Sequence, residues 1–160
     1  MDDVLIVGDG PAGLSAALFL SKKEMNVKVF GQDGTLMHKA NVLNYLGIPE
    51  VTGSEFQRIS KDQVRSFGAN IIEAEVTSAE RIESGFKIVD ADGDIHEGAY
   101  LILATGPSNP LAEAFGVDKG DEGILSDRYG RTKIEGLYVV GWSTRMKKIQ
   151  AIISAGDGAC

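Results

Sequence analysis

Hydrophobic positions along this chain fall into short blocks whose spacing changes several times. Val4–Val7 is a continuous apolar run closed by Gly8, the pattern of a parallel strand buried on both faces. Pro11 to Lys23 reads as a helix. Pro11 suits a first helical turn, and Leu14, Ala17, Leu18 and Phe19 recur at helical spacing. Val27 to Phe30 is a second short strand, which completes a β-α-β unit. Gly31 to Gly53 is rich in Gly, Asn and Pro and has weak periodicity, so it is expected to be a long loop of the kind that often carries function.

Ser54 to Phe67 is predicted to be a helix capped by Ser54, with Gln57 rather than Glu three residues on. Asn70 to Ala74 reads as a third strand. From Glu75 to Ala99 apolar and polar residues alternate, and Asp92-Gly93 marks a turn. That is an antiparallel meander and not another β-α-β unit. Tyr100 to Ala104 is a buried strand, Pro107 to Lys133 is irregular, Leu137 to Val140 is a last strand, and Ile149 to Ala159 is a closing helix. The expected fold is a single α/β domain over residues 1–160: three layers, with a central parallel sheet and an added antiparallel β-meander.

Composition narrows the function. With 160 residues the chain can bury a core without disulfides. Its net charge of -7 argues against nucleic acid and against a purely electrostatic membrane anchor. Cys160 is the one cysteine, so neither an intrachain disulfide nor a thiol metal cluster can form. Met1-Asp2-Asp3 leads straight into the first strand, unlike a secretory signal, and no apolar run reaches membrane-spanning length. A soluble, cytoplasmic protein is expected.

The candidate chemistry starts at Gly8-Asp9-Gly10-Pro11-Ala12-Gly13. Gly8 permits a tight strand-to-helix turn. Gly10 lets a pyrophosphate approach the backbone. Gly13 lets the helix pack closely on the strand. Free amides and the positive end of the helix dipole then face the phosphates. An acid for the ribose is expected about 20 residues on. The second strand ends instead in Gly31, followed by Gln32 and Asp33. Either of these takes the acid's place by a shifted geometry, or the turn is simply solvated.

Taken together, GDGPAGLSAA (8–17), NYLGIP (44–49), TGSEF (52–56), SFGANI (66–71), YLILATG (100–106), GRTKIEGLYVVG (130–141) and QAIISAGDGA (150–159) resemble the flavin domain of thioredoxin reductase and its relatives among the pyridine nucleotide–disulfide oxidoreductases. The resemblance implies a Rossmann-type FAD-binding domain, an oxidoreductase or electron-transfer role, and a homodimer. It places Thr105 and Gly106 near the cofactor, and Gly141 in the C-terminal flavin motif. Gln150, Ala151 and Ile152 begin a helix whose amides face the isoalloxazine. Where the family usually has Asp, to hold the ribityl chain, this chain has Trp142. An indole can stack or donate one hydrogen bond but cannot accept as a carboxylate does. It either contacts the cofactor or packs in the core.

Full thioredoxin reductases carry a second nucleotide domain and a Cys-x-x-Cys between the ATG turn and the last flavin motif. Here a short connection joins Gly106 to Gly141, with no second glycine fingerprint and no cysteine pair. The electron donor is therefore expected from a redox partner protein or a nicotinamide nucleotide in trans. A degenerate domain that binds a nucleotide without turnover is the alternative. His38, in the long loop near the expected flavin edge, is either a general base or a solvated histidine. His96 is expected to be exposed, and Cys160 to be a small apolar packing residue rather than a free thiol that passes electrons. Arg145, Lys147 and Lys148 either favour a phosphate or the flavin pyrimidine, or are solvated. No serine–histidine–acid set and no metal-ligand spacing stands out.

Overall fold

In a computed structural model describing residues 1–160, the chain runs β1 (Asp2–Val7), α1 (Pro11–Ser21), β2 (Val27–Gly31), β3 (Asn41–Val42), β4 (Val51–Thr52), α2 (Gly53–Ser66) and β5 (Asn70–Glu73). It continues through β6 (Val76–Ile82), β7 (Gly85–Asp90), β8 (Ile95–Leu103), α3 (Pro110–Ala114), β9 (Lys119–Gly120), β10 (Gly123–Ile124), β11 (Leu137–Val139) and α4 (Ala151–Ala159). The main sheet has seven strands in the order β5-β2-β1-β8-β7-β6, with β11 also on β8. β5, β2, β1, β8 and β11 are mutually parallel, while β6 and β7 join antiparallel.

The last strand of the meander and the buried strand expected after it are one element, β8. The first half of β8 pairs antiparallel with β7 (Ile88 opposite His96), and its second half pairs parallel with β11 (Leu103 opposite Val139). One strand thus leaves the meander and enters the central sheet, and the change from alternation to a continuous apolar run falls inside it rather than between two elements.

Alternation explains the continuous apolar run in β1. Val4 and Ile6 face α1 and α2, packing with Leu14, Ala17, Val29 and Val64. Leu5 and Val7 face the opposite side, with Phe30, Phe86, Ile88, Leu103 and Leu111. Burial on both faces leaves Val4–Val7 without a polar position, while Asp2 and Asp3 stand at the half-buried start of the strand. The three layers are therefore helices, sheet, and meander with α3. Phe19, expected on the buried stripe of α1, is 51% exposed, because Ala12, Leu14, Ala16 and Ala17 already fill the contact. α1 also stops at Ser21, two residues short of the expected Lys23, and Glu24 turns to φ +62°.

The long loop carries its own structure. It contains a 3-10 turn at Leu36–Lys39 and the β3–β4 pair. Met37, Val42 and Phe56 form a small core there, with Tyr45 against Phe56. α2 is capped by Thr52, whose Oγ1 accepts from the amide of Glu55 at 3.3 Å, and not by Ser54. The Glu55 carboxylate does not return to the Thr52 amide but takes both its bonds from Arg58, and Gln57 is free for another task. Residues 107–133, expected to be irregular, hold α3 and the β9–β10 hairpin. No helix is long and apolar enough to cross a membrane.

Candidate functional site

The carboxyl ends of β2, β1, β8 and β11 lie side by side, because Val7 pairs with both Phe30 and Leu103, and Leu103 with Val139. After β1 the chain moves one way, to β2 and β5, and later returns on the other side through β8. The gap between β1 and β8 is therefore the topological switch point at which open α/β sheets bind ligands. The turns that follow these strands bring Gly8–Gly13, Thr105–Gly106 and Gly141–Trp142 together.

The fingerprint glycines divide by role. Gly8 has φ +113°, and a Cβ there would overlap the carbonyl of Ala104. A Cβ on Gly13 would overlap the carbonyl oxygen of Gly8. Both are required by the fold itself. Gly10 differs, since the one atom within 4 Å of a Cβ there is Thr35 Oγ1 at 3.4 Å. Its space is open on the ligand side. No side chain caps α1, and the amides of Ala12 and Gly13 find no acceptor in the chain. Unpaired donors at a helix start favour an anion.

Across the switch point, Ser143 is fully buried and donates to the carbonyl of Gly106 at 2.7 Å. Thr105 Oγ1 donates to Asn109 Oδ1 at 3.1 Å. Gly141, at φ +75°, lies against Ala12 of α1. Trp142 is half-buried, and its indole Nε1 is buried without an acceptor. A buried N–H with no partner costs about 1–3 kcal/mol, so an acceptor from a ligand fits there. Gln150 immediately precedes α4 and accepts from Asn44 Nδ2 at 2.6 Å, which ties the long loop to the closing helix. Ala151 is half-buried and Ile152 is 38% exposed.

Gln32 stands at the end of β2 beside Asp33, where the chain turns at φ +53°. The Asp33 carboxylate meets Lys61 Nζ at 2.6 Å and His38 Nε2 at 3.2 Å. Burial pushes the Asp33 carboxyl up, but hydrogen bonds from Lys61 and His38 outweigh it and hold it below the ordinary aspartate range. Lys61 also reaches Asp9 Oδ2 at 2.8 Å. Burial works against its ammonium, yet the bonds to Asp33 and Asp9 raise its pKa. Gln57, 1% exposed, donates to the backbone carbonyl of Asp9. Asp9, Gln57 and Lys61 escape a reading by spacing, since they meet only when α2 docks on the phosphate turn.

The structure does bring a serine, a histidine and an acid together. His38 Nδ1 is 2.8 Å from Ser54 Oγ, and its Nε2 faces Asp33. The ring is reversed relative to a hydrolytic triad, where Nε2 serves the serine and Nδ1 the acid. The chain of bonds fixes the loop onto α2. His96 is not an exposed meander residue. It bonds Asp90 at 3.1 Å and stacks near Phe30, with ring centroids 4.7 Å apart. That bond holds the Asp90 carboxyl below its ordinary range. Arg145 is clamped by both oxygens of Asp157 at 2.7 and 2.8 Å, and Lys147 pairs with Glu122. Lys148 is exposed, and so is Cys160, which therefore does not pack in the core as expected. No group of three His, Cys, Asp or Glu residues stands together to hold a metal.

A parallel sheet with an uncapped glycine turn at its switch point defines a dinucleotide-binding α/β domain. Residues 2–119 match the family model of the pyridine nucleotide-disulphide oxidoreductases. The chain belongs to that family, a family of flavoproteins, and is thioredoxin reductase-like.

It is 32% identical over 127 residues to a thioredoxin reductase of Aquifex aeolicus (strain VF5), an alignment that covers 77% of this chain and 38% of that protein. It is also 32% identical over 110 residues to a bifunctional thioredoxin reductase/thioredoxin of Mycobacterium leprae (strain TN), over 66% of this chain and 24% of that one. The chain thus spans well under half the length of these curated relatives. Among solved structures, the atypical thioredoxin reductase of Desulfovibrio vulgaris Hildenborough superposes with a TM-score of 0.91 at 17% identity. That alignment runs over 99% of this chain and 95% of the other. The fold expected from the sequence, a central parallel sheet with helices and an antiparallel meander, is the fold observed.

Proposed function

We propose that the chain holds FAD non-covalently across the carboxyl ends of β1, β2, β8 and β11 and serves as an oxidoreductase or electron-transfer component. The observation that carries this is the open space at Gly10, backed by the unpaired amides of Ala12 and Gly13. The orphaned indole N–H of Trp142 supports it from the far side of the switch point.

Gly8, Gly10, Pro11, Ala12 and Gly13 would cradle the pyrophosphate. Thr105, Gly106, Gly141 and Trp142 would line the ribityl and isoalloxazine side, and Gln150, Ala151 and Ile152 would present the start of α4. Gln32 and Asp33 stand at the adenosine end. The flavin itself supplies the redox chemistry, while the residues of this chain bind it, orient it and keep water from it. Residues 107–136 between the two flavin motifs carry only α3 and the β9–β10 hairpin. Electrons would therefore come from a nicotinamide nucleotide or redox partner in trans. The homodimer implied by the family resemblance and the cytoplasmic setting expected from composition belong to the same reading.

Purified protein should be yellow, release FAD on denaturation, bleach on photoreduction and recover in air. A colourless protein that takes up no added FAD in a fluorescence titration would refute the reading.

A further inference from the structure

Dinucleotide-binding folds hold the adenosine ribose by an acid at the end of the second strand. Here that strand ends in Gly31, yet the place the acid would fill is not empty. A Cβ on Gly31 would lie 2.5 Å from Oδ1 and 2.6 Å from Cβ of Asp9, and nearer still to Asp9 Cγ. The Asp9 carboxylate therefore occupies the volume into which a side chain at position 31 would grow. Asp9 comes from the phosphate turn, at the end of the neighbouring strand β1.

Several contacts hold the carboxylate there. Asp9 is 5% exposed. Its Oδ2 accepts from the amide of Asp33 at 3.1 Å and pairs with Lys61 Nζ at 2.8 Å. The amide of buried Gln57 donates to its backbone carbonyl, and Gln57 Oε1 is left buried with no partner. Asp9 Oδ1 takes no hydrogen bond from the chain and so remains as a free acceptor. A bare carboxylate beside a diphosphate would repel it. Lys61, shared with Asp33, offsets part of that charge while leaving Oδ1 available.

We propose that Asp9 supplies, from the phosphate turn, the ribose-hydroxyl acceptor that the fold ordinarily takes from the end of β2, with Lys61 as its counter-ion and Gln57 as its brace. The two carboxylate sources are exchangeable because they reach one point from adjacent strand ends. This rests on the FAD reading and adds the means by which the adenosine half is recognised.

Exchange of the two residues tests it. Apo-protein is titrated with FAD, and separately with FMN, which has no adenosine. Asp9→Gly should weaken FAD by about ten- to a hundredfold, the loss expected for charge-assisted hydrogen bonds, and leave FMN affinity unchanged. The double variant Asp9→Gly with Gly31→Asp puts a carboxylate back in the same volume and should recover FAD affinity to within about threefold. Gly31→Asp alone forces two carboxylates together and should lower both the melting temperature and FAD affinity.

Three results would overturn the proposal: an Asp9→Gly variant that binds FAD like the parent, equal losses for FAD and FMN, or a double variant no better than Asp9→Gly. A parent protein that takes up no FAD at all would instead overturn the cofactor reading.

Discussion

Gly10 and Gly13 stand three residues apart in one motif, yet the structure assigns them different physical tasks. Substituting each therefore separates fold from ligand. A Cβ on Gly13 would overlap the carbonyl oxygen of Gly8 and sit 3.0 Å from its carbon. Both atoms are backbone, so α1 must retreat from β1. Overpacking of this kind costs about 1–3 kcal/mol. At roughly 2–4 °C per kcal/mol for a chain of this size, Gly13→Ala should lower the apo melting temperature by about 2–12 °C.

Gly10 has φ -78° and ψ -175°, an extended conformation that suits a β-branched residue, and its nearest neighbour leaves ordinary contact distance. Gly10→Val should therefore change the apo melting temperature by less than about 2 °C. Its side chain would stand between the Ala12 and Gly13 amides and the pyrophosphate. Losing two charge-assisted bonds costs about 3–6 kcal/mol, which is about a hundred- to ten-thousandfold in Kd. Calorimetry of the apo-proteins and FAD fluorescence titration read the two effects independently. A Gly10→Val variant that keeps FAD affinity within about threefold, or that melts as low as Gly13→Ala, would refute the division of roles.

Two further outcomes are expected. Trp142→Asp restores the residue the family resemblance leads one to expect, and it should measurably shift FAD affinity and flavin fluorescence; native affinity with an identical spectrum would assign Trp142 to packing alone. The Asp33 carboxyl is held below its ordinary range by Lys61 and His38 against the opposing effect of burial. Its stabilising contribution is therefore full above the unfolded pKa of about 4 and fades as pH falls through the lower folded value. Melts between neutral pH and about pH 3 should show a steeper acid loss for the parent than for Asp33→Asn, and parallel curves would contradict the assignment.

Much of the fold was legible because burial on both faces leaves a plain mark. Val4–Val7 and Leu101–Leu103 are apolar throughout since each side chain, whichever way it points, meets a layer, whereas Tyr100, expected in the same buried run, is 44% exposed. The meander was legible from alternation and from Asp92-Gly93, where Gly93 turns at φ +86°. What the sequence hid were features decided by partners distant along the chain. Phe19 fits the helical stripe, but Ala12, Leu14, Ala16 and Ala17 fill the contact first. His96 sits among the polar positions of a meander strand and is drawn inward by Phe30 and Asp90. Ser54 looks like a cap, but Thr52 takes that role and Ser54 turns to His38.

The site shows the same divide more sharply. A fingerprint read by spacing treats each strand end separately and expects its acid at a fixed distance along the chain. In the folded sheet, Val7 and Phe30 are register partners, so the residues just beyond them share one small volume. The glycine at position 31 and the aspartate at position 9 are then one steric event, since the carboxylate of Asp9 fits only because Gly31 carries no Cβ. The same packing sets the limits of the rest of the turn. Gly8 faces the Ala104 backbone carbonyl and Gly141 the Ala12 side chain, and both stand at positive φ, +113° and +75°, which restricts either to glycine. Of the glycines at these strand ends, only Gly31 is paired with an adjacent side chain that supplies the missing chemistry. The apparent loss of the ribose acid is thus a transfer between adjacent strands, visible only once their register is known.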